Sequence, residues 1–473
     1  MSLAAALVLL PLAGAVLLAA LPAQAARLNI AVSAACLPLA LAVLAGPPGE
    51  GWLRVDALGG SLAVVGAVVG LGTAVFSLQD IRAEGFDTTR TRFYHAAFQG
   101  FMAMHFLALL SDNLGLMWVA IEAATLACVV MVGLHRTPAA IEAAWKFFIL
   151  CGFGIALALF GIILLALAAA AHLPAGEARL SAAALREIAP LADPALLNLA
   201  FVFLLVGFGT KAGLVPLHSW LPDAHAEGPT PIAAVLSGLL LNAAMLGILR
   251  GQGVVEANPD AIAPGGFLIG MGVASLLLAG MTLWRRRDAK RLLGWSSIEH
   301  MGIAAIAFGI GGAVGNMAGL LHLWGHSLLK SAAFFAIGRA VRLKGAQRMD
   351  AIGGLTASHP ALGWGLVLAM VAVAGLPPFA LFTSEVLLAL VLAREAPWLL
   401  LPYALGLLLA ALALMHVMQR LCFGAPSPDA APGPAGWATL GPLYAHLILA
   451  AVLALGLPGP LRALLERAAG VIG

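Results

Sequence analysis

The chain has 473 residues, of which 62% are hydrophobic and only 10% charged, with a formal net charge of +3. Soluble domains carry about a quarter of their residues as Asp, Glu, Lys and Arg to cover their surface, so a water-soluble fold is excluded, and the mean hydropathy of +1.01 agrees. There is no Gly-X-Y period and no long polar tract, which sets aside collagen-like and disordered readings.

Apolar runs of roughly 20 residues match the thickness of a bilayer core. In chain order they occupy residues 2–21, 28–46, 57–78, 94–111, 113–134, 143–171, 196–220, 229–250, 264–284, 291–313, 316–338, 361–391, 398–421 and 436–461. The expected fold is all-α and polytopic, with about fourteen transmembrane helices. Residues 3–21 followed by Pro22-Ala23-Gln24-Ala25 imitate a signal peptide with a small-residue cleavage site. No Lys or Arg precedes the run, and a signal peptide needs a positive start, so it is read as the first span. Proline punctuates several junctions, at Pro47-Pro48, Pro138, Pro229 and Pro360, where helices stop or start. The loops of odd number hold sixteen Lys and Arg residues and the even ones five. The positive-inside rule then places the odd loops in the cytoplasm and both termini outside, in the cell's inner (cytoplasmic) membrane.

The seventh and twelfth runs share a pattern. Ala212-Gly213-Leu214-Val215-Pro216-Leu217-His218 resembles Ala374-Gly375-Leu376-Pro377-Pro378-Phe379-Ala380. Gly and Pro inside an apolar run unwind a helix. Five segments separate the two strings, so the units containing them would be inverted repeats, the arrangement in which many transporters build ion sites. The expected organisation is three N-terminal spans (1–90), a first five-helix repeat (91–250), a second inverted one (264–423) and a C-terminal helix (436–473).

Charge inside a membrane is costly and marks function. Glu122 lies near the middle of its span, Lys211 beside the first break and Glu385 after the second. His322, His326 and Lys330 recur every four residues, which keeps them on one helix face. Histidine titrates near neutral pH. Burial disfavours a charged amine and a neighbouring carboxylate favours it, so moving that carboxylate makes a lysine take up or release a proton. Competing readings are a purely structural Glu122–Lys211 ion pair and a His-His-Lys face that only ties helices together. His105 and His416, isolated within spans, are expected to be core histidines with satisfied hydrogen bonds. A metal held by His322 and His326 has no third ligand nearby in sequence, so no metal is assigned. Cys36, Cys128, Cys151 and Cys422 show no CxxC spacing and read as small buried residues.

At these residues the chain resembles the proton-translocating antiporter-like subunits shared by respiratory complex I, multisubunit cation/proton antiporters and group 4 hydrogenases, over most of residues 90–425. The most specific string is Lys211-Ala-Gly-Leu-Val-Pro-Leu-His-Ser-Trp-Leu-Pro-Asp-Ala-His225, continued by Ala226-Glu-Gly-Pro-Thr-Pro231. Trp118-x3-Glu122, Lys146-Phe-Phe-Ile149, Lys290-Arg-Leu-Leu293 and His322-x3-His326-x3-Lys330 support it. The resemblance implies that Glu122 partners Lys211, that His322, His326 and Lys330 form a central axis, and that Glu385 ends it. It implies supporting places for Lys146, Lys290 and Glu299, and a cytoplasmic entry near His218, Asp223 and His225, whose loop carries no Lys or Arg. Where many members have a titratable residue this chain has Asn242, which can orient water but not ionise. Ser297-Ile298-Glu299-His300-Met301 and Gly375-Leu-Pro-Pro-Phe379 look most like the hydrogenase-4 and formate hydrogenlyase branch. The chain shows no redox, hydrolytic or cofactor motif. The resemblance implies other membrane subunits and a peripheral redox arm carrying Fe–S clusters, with NiFe or quinone as further groups, and no nucleic acid. The rival readings are a cation/proton antiporter subunit and a proton channel energising a non-redox module, such as one for inorganic carbon uptake.

Overall fold

In lipid every backbone polar group must find a partner within the protein, and a helix achieves this locally. The computed structural model accordingly is a helical bundle; it describes residues 2–20, 24–47, 51–430, 433–456 and 459–472, so Pro22, Ala23 and Pro48 of the sequence reading lie outside the described residues. The first half comprises α1 (Leu3–Ala20), α2 (Ala25–Ala45), α3 (Ala57–Ala83), α4 (Thr88–Leu110), α5 (Leu114–Val132), α6 (Pro138–Ala168) and the short α7 (Ala182–Ile188). Then come α8 (Pro194–Ala212), α9 (Leu221–Glu227), α10 (Thr230–Val235) and α11 (Leu241–Glu256), the last two joined by a single π turn at Leu236–Leu240. The second half holds α12 (Gly265–Leu283), α13 (Ala289–Ile310), α14 (Gly312–Lys344), the one-turn α15 (Leu355–Ser358), α16 (Pro360–Val373), α17 (Ala380–Glu395), α18 (Leu400–Cys422), α19 (Trp437–Leu455) and α20 (Gly459–Ile472). Among the described residues there is no β-strand, only isolated bridges.

The starts are set by local chemistry. Asp56, Asp87, Asn113, Thr137 and Asp288 each accept a hydrogen bond from the backbone N–H three residues on, satisfying an orphan donor of the first turn. Pro138, Pro194 and Pro360 open their helices, where the missing N–H costs nothing.

Each of the fourteen expected segments is helical. Among the described residues eleven helices are long and apolar enough to cross a membrane unaided. The three segments outside that set are α13, α14 and the α16–α17 pair. The first two carry Lys290, Glu299, His300, His322, His326 and Lys330, all buried, and the third is cut in two. Residues 230–249 are buried without exception. Beyond α19, residues 459–472 form a separate amphipathic helix whose Leu464, Leu465, Ala468, Ala469 and Ile472 face inward.

The connections sort by parity. At one end Glu84 meets His135 at 3.0 Å and also Arg342; His135 reaches the Glu227 carbonyl at 2.9 Å, and Arg291 reaches the Glu227 carboxylate at 3.2 Å. Burial acts to raise the Glu84 carboxyl, but the hydrogen bond with His135 and the Arg342 charge hold it below its usual range. At the other end Leu53 bridges Ser111, Asn113 bridges Ser181, and Arg250 pairs with Asp56 at 2.5 Å. The odd loops, rich in Lys and Arg, thus share one end, called here the basic end.

Both predicted breaks are present, and they run in opposite directions. α8 heads from the opposite end towards the basic end and stops at Ala212, where Gly213 adopts φ +76°. α16 heads the other way and stops at Val373, followed by Gly375 at φ +68°. A left-handed residue costs L side chains but not glycine. The freed backbone groups are covered: Val215 N–H donates to Ser275 at 2.9 Å, and Trp220 Nε1 donates to the Thr210 carbonyl at 2.8 Å.

Glycine sets how closely the helices approach. A Cβ on Gly272 of α12 would sit 2.6 Å from the Gly302 carbonyl oxygen of α13, whereas one on Gly270 would meet nothing within 4 Å. Overpacking typically costs about 1–3 kcal/mol. Gly272→Val is therefore expected to lower the thermal unfolding midpoint in detergent well below that of Gly270→Val, which shares the backbone term but not the clash.

Candidate functional site: a buried charged axis

The break in α8 leaves Lys211 in the helix's last turn, fully buried. Its ammonium donates to Glu122 Oε2 at 2.6 Å and to Thr125 Oγ1 at 2.7 Å. Glu122 and Thr125 stand three residues apart on α5, hence on one face. α5 is itself fixed by Trp118, whose indole N–H donates to the Ile155 carbonyl of α6 at 2.6 Å.

The second cluster is built by α13 and α14. Lys330 is buried, donates to the Leu293 carbonyl at 2.5 Å, and lies 5.9 Å from the Phe334 ring centre. Glu299 of α13 stands near enough for the two charges to act on each other. One turn before Lys330, His326 is buried with neither ring nitrogen hydrogen-bonded. Its ring centre is 5.3 Å from that of His300. Another turn back, His322 faces His300 at 3.2 Å and Ser384 at 2.9 Å. Ser384 precedes Glu385, which is buried just past the second break. Gly375 makes room for that carboxylate, since a Cβ there would fall 2.0 Å from Oε2.

Between the clusters runs α11. Asn242 Nδ2 donates to Ser327 Oγ at 2.7 Å and to the Gly238 carbonyl at 3.1 Å, and its own carbonyl oxygen is buried without a partner. The amide ties α11 to the histidine-bearing helix and leaves an acceptor free for water.

The structure therefore brings together Glu122 with Lys211 and His322 with Glu385, while His326 stands against His300 and Glu299 is buried with Oε2 unpartnered. Other sequence-predicted residues sit at the rim. Lys146 pairs with Asp223 at 2.6 Å, and Arg291 approaches the same carboxylate at 3.4 Å. The loop bearing Asp223 has no basic residue of its own, yet two helices supply them, so its charge is matched and gives no argument for cation entry. His218 stacks edge-on to Trp295 at 5.2 Å. His225 is buried, with Nδ1 at 2.7 Å from the Leu221 carbonyl and Nε2 unpartnered. Lys290 is buried and donates to the Gly228 carbonyl at 2.7 Å.

Two sequence expectations fail. His105 is buried with neither ring nitrogen hydrogen-bonded: its neighbours Phe101 and Phe106 are aromatic, and it packs so near Gly66 that a Cβ there would fall 2.9 Å from Nε2. His416 lies on the outer surface, its ring 6.1 Å from Trp284. No third ligand stands near His322 and His326 along the chain, but other helices bring carboxylate and imidazole close. His300 and Glu385 reach His322 from separate helices. Of the residues that sequence reasoning passed over, Thr125 and Ser384 were detectable as neighbours of assigned carboxylates on the same face or next in line. His300 lay inside a quoted motif.

Two opposed broken helices around a buried charged axis define an antiporter-like membrane subunit. Residues 111–412 match the family described as NADH:quinone oxidoreductase/Mrp antiporter, TM, and the chain belongs to that family. It is 47% identical over 407 residues to the hydrogenase-4 component F homolog of Methylacidiphilum infernorum, covering 85% of each chain. A chain of the archaeal membrane-bound sulfane sulfur reductase superposes with a TM-score of 0.88 at 22% identity, over 99% of this chain and 97% of that one. A chain of Thermus thermophilus respiratory complex I does so at 0.81 and 26%, over 98% of this chain and 100% of its own.

The Lys211–Glu122 pair also makes a stability statement. Removing one partner of a buried pair leaves an uncompensated charge and costs about 3–5 kcal/mol, whereas an apolar replacement of both is close to neutral. Glu122→Leu alone is expected to destabilise the detergent-solubilised chain strongly, and Glu122→Leu with Lys211→Met to recover most of the loss in thermal unfolding.

Proposed function

We propose that this chain is the proton-translocating membrane subunit of a redox-driven complex of the complex I and group 4 hydrogenase type, nearest in kind to the hydrogenase-4 component F branch. The observation that carries the reading is the 2.6 Å contact between a fully buried lysine and a carboxylate on another helix. While Glu122 stays close, the ammonium form of Lys211 is favoured; when the carboxylate withdraws, the amine in its apolar surroundings gives up the proton. The proton passes by way of water held at Asn242 to the Lys330, His326 and His322 face, and leaves through Glu385. Protonation of Glu299 or Glu385 alters the charge that Lys330 meets, which resets the axis.

Positive loops face the cytoplasm in membrane proteins, so the basic end is assigned to the cytoplasm, Lys146, Asp223, His225 and Lys290 to the entry side, and both termini to the outside of the inner membrane. Residues 91–250 and 264–423 act as the two halves of the path. The energy comes from partner subunits that bear a redox arm with Fe–S clusters and either a NiFe site or a quinone.

Lys211→Ala in the assembled, membrane-embedded complex is expected to leave electron transfer measurable and to abolish proton uptake into the vesicle lumen, read by quenching of a pH-sensitive dye. Normal redox-coupled pumping by that variant would refute the role given to Lys211. A sodium requirement for transport would move the chain to the cation/proton antiporter class.

A further inference from the structure

Three helices meet where α14 passes the break between α16 and α17, and each delivers one buried donor. His300 from α13, His322 from α14 and Glu385 from α17 present ligand atoms that all lie within 4.8 Å of one another. Two ring nitrogens, His300 Nδ1 and His322 Nε2, face each other at 3.2 Å.

The surroundings decide where the protons sit. Ser384 Oγ donates its hydrogen to the Leu381 carbonyl at 2.8 Å, so towards His322 it can only accept. His322 therefore carries its proton on Nδ1, 2.9 Å from that oxygen, and directs the lone pair of Nε2 at His300. A serine that fixes the tautomer of an imidazole from behind is the kind of outer contact that metal-bound histidines use. When His300 holds its proton on Nε2, two lone pairs meet at a distance that suits a shared cation. On tetrahedral zinc, nitrogens at roughly 2.0–2.1 Å from the metal stand about 3.4 Å apart. The Glu385 carboxylate, within 4.8 Å of both, supplies the third ligand.

We propose that His300, His322 and Glu385 form a binding site for a divalent transition metal of the zinc class, with two imidazoles and one carboxylate as ligands and a fourth position open. Three protein ligands of this composition match the open zinc sites of known chemistry, and the N/O donor set disfavours magnesium and calcium. The bound ion holds the three side chains together and takes up the lone pairs a proton would need, so it blocks passage between the His326–Lys330 face and Glu385. The blocking role rests on the proton reading above; the binding does not.

The test uses the full-length chain in detergent, stripped of metal and equilibrated with Zn2+ alone or with Co2+ as a visible-absorption probe. One Zn2+ per chain is expected, with Co2+ giving the intense bands of a four-coordinate site. His300→Gln and Glu385→Gln should each weaken binding at least tenfold. Ser384→Ala keeps all three ligands yet should weaken it about 10–100-fold, which preserves the test if a ligand variant fails to fold. His326→Gln should bind as the parent does. Equal zinc affinity in the parent, His300→Gln and Ser384→Ala would overturn the site. In the assembled complex, Zn2+ should slow proton transport by the parent and much less that by His300→Gln. Stoichiometric binding with undiminished transport would overturn the block while leaving the ligands assigned.

Discussion

The architecture depends on a charged amine, that of Lys211, which has no exposed surface of its own. Among the described residues a carboxylate and a hydroxyl from one face of α5 are what meet its ammonium. Neither charge is tolerable alone in a low-dielectric interior. That single requirement fixes the register of α5 against α8 and explains why α8 has to end where it does. An uninterrupted helix would carry the chain on past Ala212, whereas Gly213 turns it aside at φ +76° and leaves the lysine at a helix end. The carbonyls exposed by the break are not wasted, since the Trp220 indole N–H caps that of Thr210.

The same logic, inverted, governs the far half. α14 is a continuous helix of 33 residues whose histidines and lysine repeat at one-turn spacing. It therefore offers a straight row of donors and acceptors instead of a single charge. α13 adds Glu299 and His300, consecutive residues that diverge around the helix so that one faces Lys330 and the other faces His322 and His326. The carboxylate at the end of the row occupies space that only a glycine leaves, and Gly375 is needed there for its left-handed backbone as well.

Much of this was readable from the chain because a membrane helix is a local object. Apolar run length gave the segments, Gly and Pro within the seventh and twelfth runs gave the breaks, and four-residue spacing put His322, His326 and Lys330 on one face. The partition of Lys and Arg between loops gave the parity that Glu84, His135 and Arg342 display at one end and Asp56 and Arg250 at the other. What stayed hidden is what neighbouring helices bring. The basic residues around Asp223 arrive from α6 and α13. The two donors that join His322 come from α13 and α17. Phe101 and Phe106 lie beside His105 in the chain, but that no other helix would offer its ring an acceptor does not show there. Residues 459–472 fall within the single C-terminal helix expected over 436–473. Their spacing instead lays an amphipathic helix against α3, α11 and α14.

The helical stretch 230–249 offers no surface to lipid anywhere along its length. Its glycines are pressed from two sides, Gly238 against Ser331 of α14 and Gly247 against Phe208 of α8. A helix so enclosed cannot tilt or slide without shouldering its neighbours aside, and those neighbours bear the lysine of one half and the histidines of the other. It stands as a wall common to both halves, between the Lys211 helix and the histidine row, with no lipid boundary separating them.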